Sequence, residues 1–340
     1  MLLPDKRGGI GVSRLQWVDV ARGIGIILVV YGHALRAQVT SGQFDSRWNA
    51  VAQDTVIYAF HMHLFFFLAG LFVAGSVEKG VKPFLTEKAA TIAYPYILWS
   101  SVSIMLGAAA SGATNYAVNT GQILSIWYTP VYQFWFLYVL FICNIAALLI
   151  RASRKAAVLL VLASCAGLGT VLPGMISVST IYFPFFFGGL LLRPKLVEST
   201  VSQSAAVAAV GIGSVGFFIV FWQSNLIAVV MPDQLTSLLR GALGVAAVIG
   251  AAILLQGRAA WLALLGTASM AIYVLHTIFS AGLRIAMMAL GLGPPIVSLV
   301  LCTIIGIAAP LVIWMVVRHY GALRWLALGT DIRRKMASTA

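Results

Sequence analysis

Long runs of apolar residues, separated by short polar segments, constrain this chain more than any other feature of its sequence. Only 9% of its 340 residues are charged, whereas soluble domains carry about 25%. Several runs approach the roughly 20 residues that a helix needs to cross a bilayer. Because lipid-facing backbone must satisfy its own hydrogen bonds, the sequence predicts an all-α, polytopic transmembrane helix bundle with about ten spans. The predicted spans lie at about 18–37, 55–75, 89–110, 131–150, 156–172, 177–192, 204–230, 235–256, 260–290 and 296–317.

The lysines and arginines predict how these spans are oriented. If the N-terminus is cytoplasmic, 17 of the 22 basic residues fall in inner segments, and the outer segments hold only Arg36 and Arg47. This asymmetry is the positive-inside pattern. The inner residues are Lys6, Arg7, Arg14, Lys79, Lys82, Lys88, Arg151, Arg154, Lys155, Arg193, Lys195, Arg258, Arg318, Arg324, Arg333, Arg334 and Lys335.

The spans predict one membrane-embedded domain over residues 1–340. The orientation predicts that both termini lie in the cytoplasm. Residues 1–17 would form a cytoplasmic N-terminal segment and residues 318–340 a cytoplasmic tail. A net charge of +13 would suggest nucleic acid in a soluble protein. Here the charge follows from topology, so we predict a multi-pass protein of the inner membrane, with lipid and no nucleic acid as a partner.

Ionisable residues inside the apolar runs are the candidate functional residues, because a charge within the bilayer needs a partner or a wet cavity. The first span holds Asp19, Arg22 and His33, while Arg240 and Arg284 lie in later spans. Asp19 and Arg22 are three residues apart and can pair on one helix face. Arg22 and His33 also share a face, about 16 Å apart along the axis. The pattern fits a functional site, and it also fits a structural ion pair with an interior histidine.

Three further histidines lie in later spans. His61 and His63 open the second span, and their side chains would diverge by about 200° on a helix. They therefore form a poor metal site, and we predict no metal. His276, in the ninth span, fits an interior histidine as well as a site residue. Aromatic residues near the outer surface fit an interfacial belt or a sugar-stacking surface, namely Trp127, Tyr128, Tyr132 and Trp135.

Five segments, taken in order, resemble the acyltransferase-3 family of integral membrane O-acyltransferases. The first span carries an aspartate, then Arg-Gly, then a histidine. The other four segments each resemble a shorter block of that family, and the fucose 4-O-acetylase-like branch is the nearest. The segments are Asp19 to His33, Phe60 to Gly70, Trp135 to Leu140, Phe183 to Gly189 and Leu265 to His276.

The chain also departs from the family pattern. Many members carry R-x-x-R in the first inner loop, where this chain offers Lys82 and Lys88. Ala69 replaces a serine, His63 replaces a proline, and Gln133 stands where a histidine often precedes the W-F-L stretch. These departures concern the predicted donor contacts and the second and fourth spans more than the first.

The resemblance implies transfer of an acyl group, usually acetyl from cytoplasmic acetyl-CoA, to a hydroxyl of an extracytoplasmic carbohydrate. No tightly bound cofactor is implied. His33 is the expected catalytic base, with Asp19 and Arg22 in support, since histidine titrates near working pH. Arg22, Lys82 and Lys88 would contact acyl-CoA. The expected acceptor-binding or supporting residues are His61, His63, Trp135, Tyr273 and His276.

Three alternatives stay open at this point. One is a purely structural or scaffold membrane protein, in which His33 and Arg22 would be replaceable. Intramembrane Asp, Arg and His residues also form the proton relays of secondary transporters, so a transporter fits the same residues. Within acyltransferases, succinyl or another short acyl group could replace acetyl. The sequence identifies no group that would stabilise an oxyanion.

Overall fold

The computed structural model describes residues 15–44, 50–110, 119–223 and 233–321, which contain helices and no strand. The α-helices, in chain order, are α1 Gln16–Thr40, α2 Ala50–Tyr58, α3 His61–Val77, α4 Val81–Lys88, α5 Tyr94–Ala109, α6 Trp135–Leu149, α7 Arg154–Cys165, α8 Gly174–Leu196, α9 Gln203–Trp222, α10 Asp233–Leu255, α11 Ala260–Thr267, α12 Ser269–Ala289 and α13 Pro295–Val317. A π-helical turn, Ala89–Ala93, joins α4 to α5. The predicted all-α polytopic bundle is confirmed.

Nine helical segments within the described part are long and apolar enough to cross a membrane. The fifth predicted span is shorter than expected, because α7 has 12 residues and is followed by a 3-10 turn, Leu168–Val171. It nevertheless runs antiparallel to α8. Arg154 Nη2 donates to the Leu191 carbonyl at 3.1 Å at one end, and Ser177 Oγ donates to the Gly169 carbonyl at 2.6 Å at the other. The segment therefore follows α8 for about 25 Å.

Two close helix crossings fix the frame of the bundle. A Cβ on Gly70 of α3 would lie 1.8 Å from the Phe186 carbonyl oxygen of α8. A Cβ on Gly23 of α1 would lie 2.1 Å from the Leu262 carbonyl oxygen of α11. Glycine at these positions lets the backbones touch, as small residues do in membrane bundles. The Arg22-Gly23 pair of the first span thus has a packing role beside its charge.

Helix connections collect at two ends of the bundle. Gln16 Oε1 accepts from the Gly257 amide at 3.0 Å at one end, where the described loops carry many lysines and arginines. We call this the basic end. Gln38 Nε2 donates to Ser298 Oγ at 2.7 Å at the opposite end.

The two ends agree with the predicted alternation of inner and outer segments. That the basic end faces the cytoplasm stays a prediction from the charge pattern. Part of that pattern lies outside the described residues, namely Lys6, Arg7, Arg14, Arg47, Arg324, Arg333, Arg334 and Lys335, together with most of the terminal segments.

Candidate functional site

A cavity of about 550 Å³ lies toward the end of the bundle opposite the basic end. Its wall combines the second half of α1 with residues from the second, third and fourth predicted spans and from α12 and α13. Many of its lining side chains can bond to a ligand. These polar and aromatic residues are His33, Arg36, Thr40, Tyr58, Ser103, Tyr132, Gln133, Trp135, Thr277, Ser280, Arg284 and Cys302.

His33, the predicted base, faces this cavity from α1. Its ring centroid lies 5.2 Å from that of His276 on α12 and 6.3 Å from that of Tyr58. The imidazole makes no hydrogen bond to any residue in the described ranges. Both ring nitrogens therefore stay available to a ligand in the cavity.

Two other histidines around the cavity are held in one tautomer by the backbone. His276 Nδ1 lies 2.8 Å from the Tyr273 carbonyl oxygen and 3.1 Å from that of Ile272. His61 Nδ1 lies 2.7 Å from the Ile57 carbonyl oxygen. Because carbonyl oxygens only accept, Nδ1 carries the proton in each ring. Nε2 of each ring is left as a buried acceptor with no partner among the described residues.

Tyr58 lies between His33 and His61. Its ring meets the His61 ring edge-on, with centroids 4.5 Å apart. The phenolic oxygen is buried and has no hydrogen-bond partner in the part of the chain that the structure describes. A Cβ on Gly32 would lie 3.2 Å from the Tyr58 ring. The absence of a side chain at Gly32 therefore lets Tyr58 approach α1 beside His33.

An ion pair borders the same cavity. Arg36, one turn beyond His33, donates through Nε and Nη2 to the two Asp54 carboxylate oxygens at 2.6 and 2.9 Å. Its guanidinium carbon also lies 3.2 Å from the centroid of the Tyr58 ring. The sequence pattern identifies Arg36 only as a basic residue of an outer segment. A pair 18 residues apart on two different helices leaves no signal in helical spacing.

The wall facing α1 depends on the start of the fourth span. The Tyr273 hydroxyl donates to the Gln133 carbonyl, and Gln133 Nε2 donates to Thr277 Oγ1 at 3.0 Å. Gln133 therefore binds to the same helix that carries His276. Trp135 lines the cavity, whereas Tyr273 is buried and supports the position of Gln133.

A family model spans this whole arrangement. The chain matches Acyl_transf_3, described as an acyltransferase domain, over residues 15–315. The protein belongs to the acyltransferase-3 family. The match runs from the start of α1 into α13, so the predicted family and membrane acyl transfer are confirmed. No curated protein and no solved structure matches the chain, and the fucose 4-O-acetylase-like branch stays a prediction.

Other predicted site residues of this acyltransferase lie at the basic end, away from the cavity. Asp19 is buried and pairs with Arg22 at 3.8 Å, as the spacing predicted. Lys88 Nζ lies 3.1 Å from Glu87 Oε1, and Glu87 Oε2 accepts from Lys79 at 2.9 Å. We call these residues the paired-charge cluster. Lys82, by contrast, is exposed.

His63 and His61 contact different neighbours, as the H-x-H spacing predicted, since the His61 ring meets Tyr58. The His63 ring contacts Phe185 and Tyr182, with centroids 4.3 and 5.3 Å away. The described residues contain no group of three or more His, Cys, Asp or Glu that could hold a metal. The predicted residues therefore fall into three groups. His33 and Trp135 line the cavity, and His61, His63, Tyr273 and His276 are buried behind its wall. Asp19, Arg22, Lys82 and Lys88 lie at the basic end.

Proposed function

We propose that this acyltransferase moves an acetyl group from cytoplasmic acetyl-CoA to a hydroxyl of an extracytoplasmic carbohydrate, within the cavity beside His33. The protein would act in the cytoplasmic membrane. The observation that carries the proposal is the His33 imidazole, which faces a cavity that several polar side chains line and makes no hydrogen bond to the described residues. The family match supplies the reaction class.

His33 can act as the general base of this transfer. A sugar hydroxyl is a poor nucleophile until a base takes its proton. In the proposed step, a nitrogen of His33 takes that proton while the hydroxyl oxygen attacks the thioester carbonyl carbon. The tetrahedral intermediate then collapses, the carbon–sulfur bond breaks, and the leaving thiolate takes the proton from the imidazolium. The products are an O-acyl ester, free CoA and neutral His33.

Tyr58 supplies the oxyanion donor that the sequence left unassigned, and Arg36 helps to position it. The Tyr58 hydroxyl is a buried donor with no partner in the described part of the chain, and it belongs to a ring beside His33. We assign it as the donor to the oxyanion of the intermediate. The Arg36 guanidinium, itself held by Asp54, packs over the Tyr58 ring and helps to fix its position. Preorganised donors of this kind make some of the greatest contributions to lowering the activation barrier in enzymes.

The lining of the cavity suits a carbohydrate acceptor. Trp135 and Tyr132 offer aromatic faces to the apolar side of a sugar ring. Gln133, Thr277 and Ser280 offer hydrogen-bonding groups for its hydroxyls. His276 Nε2, a buried acceptor close to His33, can hold the reacting hydroxyl or orient the base.

The basic end suits the donor. Arg22 lies about 16 Å from His33 along α1, a separation that the flexible arm of CoA between phosphates and thioester can bridge. Lys82 is exposed at the basic end and can meet the phosphates. Lys88 already donates hydrogen bonds to Glu87 and Ser76, so its contribution to acetyl-CoA binding is indirect.

The test compares substitutions of two histidines, His33 on α1 and His63 on α3. Purified protein with His33→Gln should lose on the order of 10² to 10⁴ in the rate of transfer of labelled acetyl from acetyl-CoA to isolated surface carbohydrate. Mass spectrometry of the product identifies the acylated sugar. His63→Gln, whose side chain faces Phe185, should stay close to wild type. Wild-type rates in His33→Gln, or absence of labelled ester with the wild-type protein, would rule out the proposal.

A further inference from the structure

Arg284 is a buried arginine in the cavity wall that forms no ion pair with a carboxylate of the described residues. It lies on α12, its exposed fraction is 4%, and it lines the cavity two turns beyond His276. Its Nη1 donates a hydrogen bond to the sulfur of Met288 at 3.1 Å, the only one that the guanidinium makes to the described residues. Its Nε–H has no hydrogen-bond partner in the described residues. The Arg284 guanidinium therefore lines the cavity with a hydrogen-bond donor that has no partner among the described residues.

The charge of Arg284 is uncompensated within the described ranges. Arg36, the other arginine of the cavity, is neutralised by Asp54. No aspartate or glutamate is among the residues that line the cavity. A buried charge without a counter-ion is strongly unfavourable, and within a membrane it is usually functional. An anionic group on a ligand would remove this cost.

The geometry of Arg36 shows which group would fit Arg284. Arg36 binds the Asp54 carboxylate through the edge formed by Nε and Nη2. The same edge of Arg284 includes the unpartnered Nε–H. A guanidinium edge matches the paired oxygens of a carboxylate or a phosphate, which an uncharged hydroxyl does not offer.

The position of Arg284 places the anion away from the reacting hydroxyl. Arg284 lies eight residues beyond His276 on α12, about 12 Å along the helix axis, and His276 adjoins His33. The ion pair would therefore hold a part of the acceptor that does not react, such as the neighbouring sugar of a chain.

We propose that the acceptor is an anionic carbohydrate, and that Arg284 binds its carboxylate or phosphate group at a distance from the hydroxyl that is acylated. This inference rests on the proposed function, since it specifies the acceptor of the same cavity. Arg284 is a specificity-determining residue and takes no part in proton transfer.

The test measures binding of three disaccharides that differ at one carbon. Cellobiose, its 6′-carboxylate and its 6′-phosphate are titrated calorimetrically into the full-length protein without acyl donor. At least one charged probe should bind about tenfold or more tightly than cellobiose, and the preferred one identifies carboxylate or phosphate. Arg284→Gln should lower the affinity for that probe to the affinity for cellobiose. Arg240→Gln, a change in another intramembrane arginine that does not line the cavity, should keep the preference.

Two results would overturn the inference: equal or undetectable binding of all three probes to the wild-type protein, or a preference that survives Arg284→Gln. Size-exclusion profiles of both variants check folding. A lipid headgroup is the other source of such an anion, so the titration is repeated in phosphatidylcholine nanodiscs with and without phosphatidylglycerol. A preference abolished by phosphatidylglycerol would assign Arg284 to lipid and contradict an acceptor role.

His33→Gln separates this inference from the proposed function. It should abolish transfer and leave the charged-probe preference unchanged. Transfer by His33→Gln would count against the proposed function alone. If the wild-type protein transfers acetyl but binds the charged probes no more tightly than cellobiose, only the role of Arg284 is contradicted.

Discussion

The two ends of the helix bundle differ in how many of their polar side chains have partners. At the basic end, Arg22 pairs with Asp19, and Glu87 accepts from two lysines. At the cavity end, Arg36 pairs with Asp54, but the buried Tyr58 hydroxyl and Arg284 Nε have no hydrogen-bond partner among the described residues, and the His33 ring faces the cavity. Paired charges in a membrane protein stabilise the packing around them. Unpaired donors and acceptors at a cavity are unfavourable until a ligand binds, so the difference indicates which end holds the reacting groups.

The largest effect expected in testing this comparison is on catalysis at the cavity end. Tyr58→Phe removes the unpartnered donor and keeps the ring under Arg36. We expect kcat to fall by about 10² to 10³, as for loss of one oxyanion donor, with little change in thermal stability. Tyr182→Phe is the matched control, because Tyr182 stacks on Phe66 outside the cavity. Steady-state kinetics measures both, and an unchanged kcat for Tyr58→Phe would remove Tyr58 from the mechanism.

A smaller effect, on stability, is expected at the basic end. Glu87→Gln leaves Lys88 and Lys79 without their carboxylate. We expect a loss of about 2 kcal/mol in the free energy of unfolding, below the value for a fully buried pair, because Lys79 is half exposed. Transfer per folded molecule should change little. Glu78→Gln, at an exposed neighbour, is the control in thermal unfolding. Equal stability of the two variants would contradict a structural role for the paired-charge cluster.

The smallest effect is expected for the exposed Lys82. Lys82→Ala should raise KM for acetyl-CoA about two- to fivefold, the range of a solvent-exposed ion pair, and leave KM for the acceptor unchanged. Raised ionic strength should shrink the difference from wild type. Lys155→Ala, another exposed lysine of the basic end, should leave both constants unchanged. A parallel rise in both KM values would show that Lys82 does not bind the donor.

Features that repeat along one helix could be predicted from the sequence. The helical class of the spans, the shared face of Arg22 and His33, the Asp19–Arg22 pair and the divergence of His61 from His63 all follow from helical spacing. The number of spans does not, since about ten are predicted and nine helices of the described residues are long and apolar enough to cross a membrane. The fifth span shows where this reasoning fails. Its apolar run of about 17 residues gave no sign that the helix ends at Cys165 and continues as a 3-10 turn.

The sequence alone determined that this chain spans a membrane as a helix bundle, that it resembles its family, and that His33 is the first catalytic candidate. Only the tertiary structure decided which groups meet. His276 adjoins His33 across 243 positions of sequence, and Tyr58 lies between two histidines. Among the described residues, Arg36 pairs with a carboxylate whereas Arg284 does not. Hydropathy and helical period describe neighbours along the chain. Whether a buried charge has a partner depends on which faces of distant helices pack together, and that is settled only when the bundle closes.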